Sequence, residues 1–393
     1  MTFVIGVLIF VVALLVSVML HEAGHFVTAK IFGMKATQFF VGFGTTLWSR
    51  RRGETEYGVK ALPVGGFVKI TGMTTMDEVD PADEPRSFRS KPGWQRSIVL
   101  AAGSFMHFVI AFVLLWILAV GVGLSDQNST TVSVLPCVPT KQQAACAQGD
   151  PKSPAVLAGL RPGDKIIAIA GQPVHNWTQL GEVIKEQPAG TPVAFTIVRG
   201  KRQLNEKITL ASVSWRKGAY LGVQPVQVYT RIGPFSAVSY AGSQFGSIVS
   251  QSVTALGRIP RAIPYLFAKD RANTPGGQVS SMFGAASITG QVVAANFGWQ
   301  QKATIVLLII IEVNIFVGIF NLLPLLPLDG GHLAIVLFER ARAGWARLRR
   351  RPDPGLVDIQ RLIPVSVGVF ALLVALGLLL IAADIFNPVT LVQ

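Results

Sequence analysis

An uncharged run that leads directly into a pair of histidines limits the folds open to this chain. The run extends over eighteen residues from Phe3 to Leu20, which is long enough for a helix that enters a bilayer. His21-Glu22-Ala23-Gly24-His25 follows at once. Ionisable side chains are costly inside a membrane, so three of them within five positions indicate a functional site rather than packing.

The two histidines of this motif have the spacing of metal ligands. Residues i and i+4 share one face of a helix, so His21 and His25 would present two imidazoles one turn apart, with the Glu22 carboxylate beside them. A catalytic zinc site needs two such ligands, a general base, a third protein ligand and water. The motif therefore predicts a zinc centre with Glu22 as the base.

The composition indicates that much of the chain lies in a membrane. Half of the 393 residues are apolar and only 14% are charged, against about 25% in soluble domains. No Lys or Arg lies in 1–29, 97–140, 303–339 or 362–393. The net charge of +14 is then a signal of topology and of attraction to anionic headgroups. We expect a lipid bilayer as partner, and no nucleic acid.

These gaps predict a polytopic α-helical membrane protein with four spanning helices, each of about 20 residues or more. The predicted helices are Thr2–Ala29, Ile98–Leu124, Ala303–Leu328 and Leu362–Ala383, within the segments 1–30, 97–124, 303–331 and 362–384. The positive-inside rule assigns the short basic segments 30–96 and 340–361 to the cytoplasm. We therefore expect the N-terminus and residues 125–302 to be extracytoplasmic.

Between the first two spans, residues 37–73 predict a membrane-associated β-hairpin. Thr37–Trp48 and Thr55–Ile70 are rich in β-branched and aromatic residues and flank the turn Arg52-Gly53-Glu54. A sheet edge beside a membrane active site could pair with an extended substrate. A hairpin that only packs against the helices is the alternative.

The extracytoplasmic segment predicts a small β-rich domain over 131–225 and an amphipathic or linker region over 233–300. Residues 153–174 closely resemble the helix-turn-strand-turn core of a PDZ domain. Cys137 and Cys146 are close together in an oxidising compartment, which favours a disulfide over two free thiols. Residues 276–290, rich in Gly, Ser and Ala, predict a hinge or a closely packed strand.

A third metal ligand is available near the inner end of the third span. Prolines and glycines interrupt the apolar stretch from Asn321 to His332, and such breaks are tolerated in membranes where the backbone lines a cavity. The first and third spans both run inward, so Asp329 should reach the depth of the two histidines of the first span. Asp329 is the predicted oxygen ligand, and His332 is the less favoured alternative.

Together, these motifs resemble the site-2 protease family of intramembrane zinc metalloproteases. HEAGH closes the first span, N-x-x-P-x-x-P-x-D-G occupies 321–330, and residues 42–73 look like that family's membrane-associated β-hairpin. Four helices with one PDZ insert after the second are similar to the bacterial regulators of envelope-stress signalling, in their actinobacterial form. The resemblance implies that His21, His25 and Asp329 bind zinc and that Glu22 activates water.

The resemblance also implies how substrate is held. Asn321 would bind the substrate backbone or the oxyanion, Pro324 would shape the broken helix, and Gly65-Gly66 would pair with the unwound substrate. The implied substrate is a single-pass transmembrane protein, such as an anti-sigma factor, already trimmed outside by a site-1 protease. The PDZ domain would then admit substrates by size or bind a freed C-terminus.

One stretch departs from the family's pattern. Its second helix commonly carries Gly-Pro-x-x-Asn, whereas this chain has Gly103-Ser-Phe-Met-His107. We expect His107 to be a buried, hydrogen-bonded histidine, with metal contact as the alternative. Glu312 and Asn314 are expected to make interhelical or gating contacts, with substrate contact as the alternative.

Three other functions fit parts of the pattern. A membrane protein that binds or moves zinc without proteolysis would keep both histidines and Asp329 but would not need Glu22. A PDZ scaffold with a membrane anchor leaves the two buried motifs unexplained. A zincin acting on soluble peptides is disfavoured because its site would lie at the end of an apolar helix.

Overall fold

The computed structural model describes residues 1–73, 77–126, 129–139, 146–147, 149–215, 217–268, 271, 279–352 and 354–388. The chain forms two compact units, one built from Met1–Val122 with Gly233–Gln393 and the other from Gly123–Ile232. The described helices are α1 (Thr2–Ile31), α2 (Gly93–Ile117), α3 (Pro154–Leu157), α4 (Trp177–Glu186), α5 (Pro234–Ala262), α6 (Met282–Ala294), α7 (Trp299–Asn321), α8 (Asp329–Leu348) and α9 (Ile363–Phe386). The described strands are β1 (Ala36–Arg52), β2 (Thr55–Ile70), β3 (Leu124–Ser125), β4 (Val132–Val134), β5 (Lys165–Ile169), β6 (Gln172–Pro173), β7 (Pro192–Arg199), β8 (Arg202–Thr209), β9 (Ala211–Ser212), β10 (Ala219–Tyr220), β11 (Val223–Pro225) and β12 (Tyr229–Thr230).

Four helices among the described residues are long and apolar enough to cross a membrane. They are α1, α2 with the π-helical turn that continues it to Val122, α7, and α9 with the short turn before it. Each consists of 23 to 30 residues, and about 20 suffice to span the hydrocarbon core. The prediction of four long apolar helices is confirmed. The shorter apolar helix α6, with 13 residues, is too short to cross on its own.

The third span ends earlier than predicted. Helix α7 stops at Asn321, and the predicted continuation to Leu328 is wrong. Pro324 and Pro327 explain the stop, because proline lacks a backbone N–H and disfavours helical geometry in the residue before it. Asp329 instead begins the new helix α8.

The predicted hairpin is present as β1 and β2, with the turn at Gly53. The two strands fold over so that Phe40 pairs with Gly58 on one side and with Phe67 on the other. This bend occurs next to Gly42, whose φ of 84° suits glycine. As a result, residues 66–70 lie at one edge of the sheet.

The hairpin turn is attached to its surroundings by ion pairs. Arg86 contacts Glu54 with two nitrogens, at 2.8 and 2.9 Å, and Lys30 bonds the same carboxylate. Hydrogen bonds from Arg86, and then from Lys30, lower the pKa of Glu54 to about 2. Glu54 therefore stays ionised and paired at neutral pH.

The segment before α7 contains two helices. Helix α5 packs its Phe245, Ile248 and Val249 against the apolar cluster formed by α2 and α7. Helix α6 forms where a hinge or strand was predicted, so that prediction is wrong for residues 282–290. Its Gly290 lies against Phe3 of α1, and a Cβ there would come within 2.7 Å of the phenyl ring. Residues 276–278 lie outside the described part of the chain.

The second unit has its own apolar core. Strands β6, β5, β7 and β8 form an antiparallel sheet in that order, and Ile166, Phe195 and Ile197 are fully buried beneath it. Ser153 caps α3 and Asn176 caps α4 by accepting backbone hydrogen bonds. The predicted disulfide between Cys137 and Cys146 is confirmed.

Candidate metal centre

Three side chains from two distant parts of the sequence, α1 and the start of α8, meet in one group. His21 Nε2 and His25 Nε2 are 3.1 Å apart. Asp329 Oδ2 lies 3.1 Å from the first nitrogen and 3.3 Å from the second. Among the described residues, these three form the group that could hold a metal ion.

Local structure explains how each of the three residues reaches this position. His21 and His25 are one turn apart on α1 and are both buried. Asp329 is the first residue of α8, directly after the loop from α7. A Cβ on Gly330 would lie 2.3 Å from main-chain atoms of Leu322 and Leu323. Glycine at 330 therefore lets the loop fold back tightly and bring Asp329 to the histidines.

Helix α2 forms one wall of this group. A Cβ on Gly103 would lie 2.3 Å from His25 Nε2 and 2.6 Å from His21 Nε2. A Cβ on Gly24 would lie 2.6 Å from the Ala102 carbonyl oxygen. The two helices thus approach each other at glycines, and the imidazoles fill the space that a side chain at 103 would occupy.

Hydrogen bonding orients one of the two imidazoles. His25 Nδ1 lies 2.7 Å from the Val99 carbonyl oxygen. A carbonyl can only accept, so Nδ1 carries the proton and Nε2 presents its lone pair to the group. His21 Nδ1 is buried and has no hydrogen-bond partner within the described residues.

The three donor atoms fit a zinc ion. Tetrahedral coordination with Zn–N and Zn–O bonds of about 2.0–2.2 Å sets neighbouring ligand atoms about 3.3–3.5 Å apart. The separations of 3.1–3.3 Å between these atoms are close to that value. Two histidines with one carboxylate are moreover a ligand set of catalytic zinc sites, which leave one position open.

Glu22 lies beside the group and is held by the hairpin. Its Oε2 accepts a hydrogen bond of 3.0 Å from the backbone N–H of Val68. Strand β2 reaches this position because Gly66 has no side chain. A Cβ there would come within 2.8 Å of Met19 Sδ and 2.9 Å of the Phe40 carbonyl oxygen.

The other predicted substrate residues belong to two segments, β2 and the end of α7 with the loop after it. Gly65 and Gly66 belong to β2 beside Glu22. Asn321 is the last residue of α7, and Pro324 lies in the loop that leads to α8. Their roles in binding substrate stay predictions.

His107 is buried and hydrogen-bonded, as predicted. Its Nδ1 lies 2.9 Å from Asn314 Oδ1, which makes Asn314 an interhelical contact between α2 and α7. The group of potential ligands among the described residues does not include His107 or His332. Glu312 is exposed on α7.

Sequence reasoning missed two main-chain partners of the site. They are the Val99 carbonyl, which orients His25, and the Val68 N–H, which holds Glu22. Every residue carries a backbone carbonyl and every residue but proline a backbone N–H, so no residue type signals these contacts. The contact of Gly103 with the two histidines did have a sequence signal, although a weak one. It is a glycine one turn before His107 in an apolar helix.

Comparisons with known proteins agree with this geometry. A model described as peptidase family M50 matches residues 9–351. The zinc metalloprotease Rip1 of Mycobacterium tuberculosis is 34% identical over the full length of both chains, and Rip1 of Mycolicibacterium smegmatis is 33% identical over the same share. The regulator of sigma-E protease RseP of Salmonella typhimurium is 26% identical over 85% of this chain and 90% of its own.

Proposed function

This chain belongs to peptidase family M50, the site-2 protease family of zinc metalloproteases, and from that premise we propose that it cleaves single-pass membrane proteins in or next to their transmembrane helix. The observation that carries the proposal is the group of His21, His25 and Asp329 at the end of a membrane-spanning helix. Glu22 lies beside that group and is bound to a sheet edge.

We assign the zinc to His21, His25 and Asp329. Bound zinc polarises a peptide carbonyl and activates water for attack on it. Glu22 accepts the proton of the attacking water and passes it to the amide nitrogen as the peptide C–N bond breaks. The Val68 N–H engages Oε2, which orients the carboxylate and leaves Oε1 for the proton.

The substrate must be unwound before this chemistry, because the amides of a transmembrane helix are bonded internally. Residues 66–70 supply an edge for it. N–H groups in an antiparallel strand alternate in direction, and the Val68 N–H points away from β1 to Glu22. The main-chain groups of Gly66 then face the same side. Together with Gly65, they would pair with an extended substrate segment next to the base.

Asn321 and Pro324 complete the proposed substrate site. Asn321 ends α7 and Pro324 lies in the loop that leads to Asp329. A substrate held by these residues would be held by the same segment that supplies a zinc ligand. We assign Asn321 to the substrate backbone or the developing oxyanion, where a side-chain amide N–H can donate.

We further propose that Gly123–Ile232 is a PDZ domain and that it lies outside the cell together with the N-terminus, with the zinc centre toward the cytoplasm. The caps, short helices and four-stranded sheet of this unit support a PDZ fold. The name of the relative RseP, a regulator of sigma-E protease, supports a regulator such as an anti-sigma factor as substrate. A site-1 protease would trim it first.

Cleavage by purified protein tests the proposal. Full-length chain in detergent is incubated with single-pass substrates trimmed on their outer side, beside Glu22→Gln and the control Glu182→Gln, an exposed residue of α4. Bound zinc is quantified in all three. We expect cleavage by the parent and the control, none by Glu22→Gln, and zinc in each. Equal cleavage by Glu22→Gln would refute the assigned base, and zinc binding without cleavage by any protein would favour a metal-handling role.

A further inference from the structure

The two histidines of the metal centre differ in how their second ring nitrogen is used. His25 donates from Nδ1 to the Val99 carbonyl. His21 Nδ1 is buried and makes no hydrogen bond to any described residue. Metal-bound histidines almost always donate this N–H to an acceptor, which fixes the ring and raises its basicity. The environment of His21 should therefore contain an acceptor.

The ring of His107 is in position to be that acceptor. Its centroid lies 5.1 Å from the centroid of the His21 ring, with 47° between the ring planes. A hydrogen bond of about 3 Å between ring nitrogens places two imidazole centroids about 5 Å apart. His107 is 2% exposed and follows Gly103 by one turn of α2, so both face the donor group.

Asn314 determines which nitrogen of His107 can accept. Asn314 Nδ2 donates to the Ile310 carbonyl at 2.8 Å, so its amide oxygen is the atom that faces His107. That oxygen lies 2.9 Å from His107 Nδ1 and can only accept a hydrogen bond. Nδ1 of His107 is therefore the protonated nitrogen, and Nε2 of the neutral ring is left as an acceptor.

We propose that His107 is a positioning residue whose Nε2 accepts the Nδ1–H of His21. This bond would complete a relay from Asn314 through His107 to His21. The relay would hold His21 Nε2 toward Asp329 Oδ2, 3.1 Å away. This inference rests on the proposed zinc site, and concerns how firmly that site holds its ion.

Two substitutions at one position separate the two hydrogen bonds of His107. In His107→Asn, the amide replaces Nδ1 and keeps the bond to Asn314, but nothing reaches His21. In His107→Gln, the longer side chain places an amide oxygen near the former Nε2. His175→Gln, at an exposed histidine of the other unit, is the matched control.

The measurement is the zinc dissociation constant of the full-length chain in detergent, obtained by competition with a chelator. We expect His107→Asn to raise it about 10- to 100-fold, the usual effect of removing such a partner. His107→Gln and His175→Gln should stay close to the parent. Rescue by glutamine is a result that a purely structural role of His107 would not produce.

Two outcomes would overturn the proposal. One is parent-like zinc affinity in folded His107→Asn, and the other is an equal loss in His107→Gln and His107→Asn. If His107→Asn does not fold, Asn314→Leu tests the same relay, because it removes the acceptor that fixes the tautomer of His107. An unchanged zinc affinity in Asn314→Leu overturns the proposal. Because the readout is zinc affinity, a failure of the relay is distinguishable from an absence of proteolysis.

Discussion

Gly103 and His25 are in direct contact, because a Cβ on Gly103 would lie 2.3 Å from His25 Nε2. The backbone of α2 is therefore one wall of the zinc site. This contact joins the packing of two membrane helices to the chemistry of the centre, since the helices can be this close only if 103 has no side chain.

We predict that Gly103→Ala weakens zinc binding by about tenfold or more, because the new methyl group must displace an imidazole that binds the metal. The zinc dissociation constant and the cleavage rate should both worsen. Gly121→Ala, in the π-helical turn after α2, is the control, since its Cβ would meet its nearest atom at 3.9 Å. Parent-like zinc binding in Gly103→Ala would contradict the packing described here.

Glu22→Asp should reduce kcat by about 100-fold while zinc stays bound. The shorter side chain withdraws the carboxylate from the Val68 N–H, and a misplacement of about 1 Å has an effect of this size. Single-turnover cleavage and zinc content measure the two quantities. Glu186→Asp, at an exposed position of α4, should match the parent. An undiminished kcat in Glu22→Asp would show that Glu22 is not the base.

Asp384→Asn should destabilise the first unit strongly. Asp384 Oδ1 lies 2.9 Å from Arg271, and both side chains are almost fully buried. Its Oδ2 accepts from the Ser281 backbone N–H at the start of α6. Removing one charge of a buried pair costs about 3–5 kcal/mol, and this pair joins α9 to the segment before α6.

Unfolding of the full-length chain in mixed micelles measures this loss. The control is Asp358→Asn, whose partner Arg361 is 3.4 Å away with both side chains exposed. It should change the free energy of unfolding by about 1 kcal/mol or less. Similar values for the two variants would show that the buried pair contributes no more than a surface pair.

The stability of the second unit should fall in acid through Asp164. Two hydrogen bonds from the Arg199 guanidinium, at 2.7 and 2.8 Å, hold the pKa of Asp164 below its usual range. A carboxyl with a lower pKa in the folded state adds stability above its unfolded pKa of about 3.9. That stability is lost as pH falls from there through the folded pKa.

Hydrogen exchange of the β5 and β7 amides in the full-length chain measures this dependence, between pH 5 and pH 3 and after correction for intrinsic rates. Protection in the parent should decrease toward pH 3. Asp164→Asn should be less protected at pH 5 and depend less on pH. The same slope in both proteins would assign the acid sensitivity to other groups.

Local patterns were enough to predict the four long apolar helices and the candidate metal ligands. Hydropathy identified four spans because a bilayer demands long apolar segments. The spacing of His21 and His25 identified a ligand pair because helical periodicity is local. Their proximity to Asp329 was predicted from the shared inward direction of the first and third spans. In the structure the three donor atoms lie within 4.8 Å of one another.

Contacts between distant segments could not be predicted in this way. The sequence indicated a hinge or strand where α6 forms, because Gly is a weak helix former. Close packing against α1, at Gly290 and Phe3, overrides that preference. The third span was predicted at Ala303–Leu328, whereas α7 is Trp299–Asn321. The prediction extended the helix past Pro324 and Pro327, which interrupt it.

The sequence by itself determined the membrane class, the candidate zinc ligands and the candidate base, since these depend on residue types at fixed local spacing. Only the tertiary structure decided how the ligands are held. The Val99 carbonyl that orients His25, the Val68 N–H that holds Glu22 and the bare backbone at Gly103 are main-chain features. Every residue has a main chain, so its role depends on which segments the fold brings together.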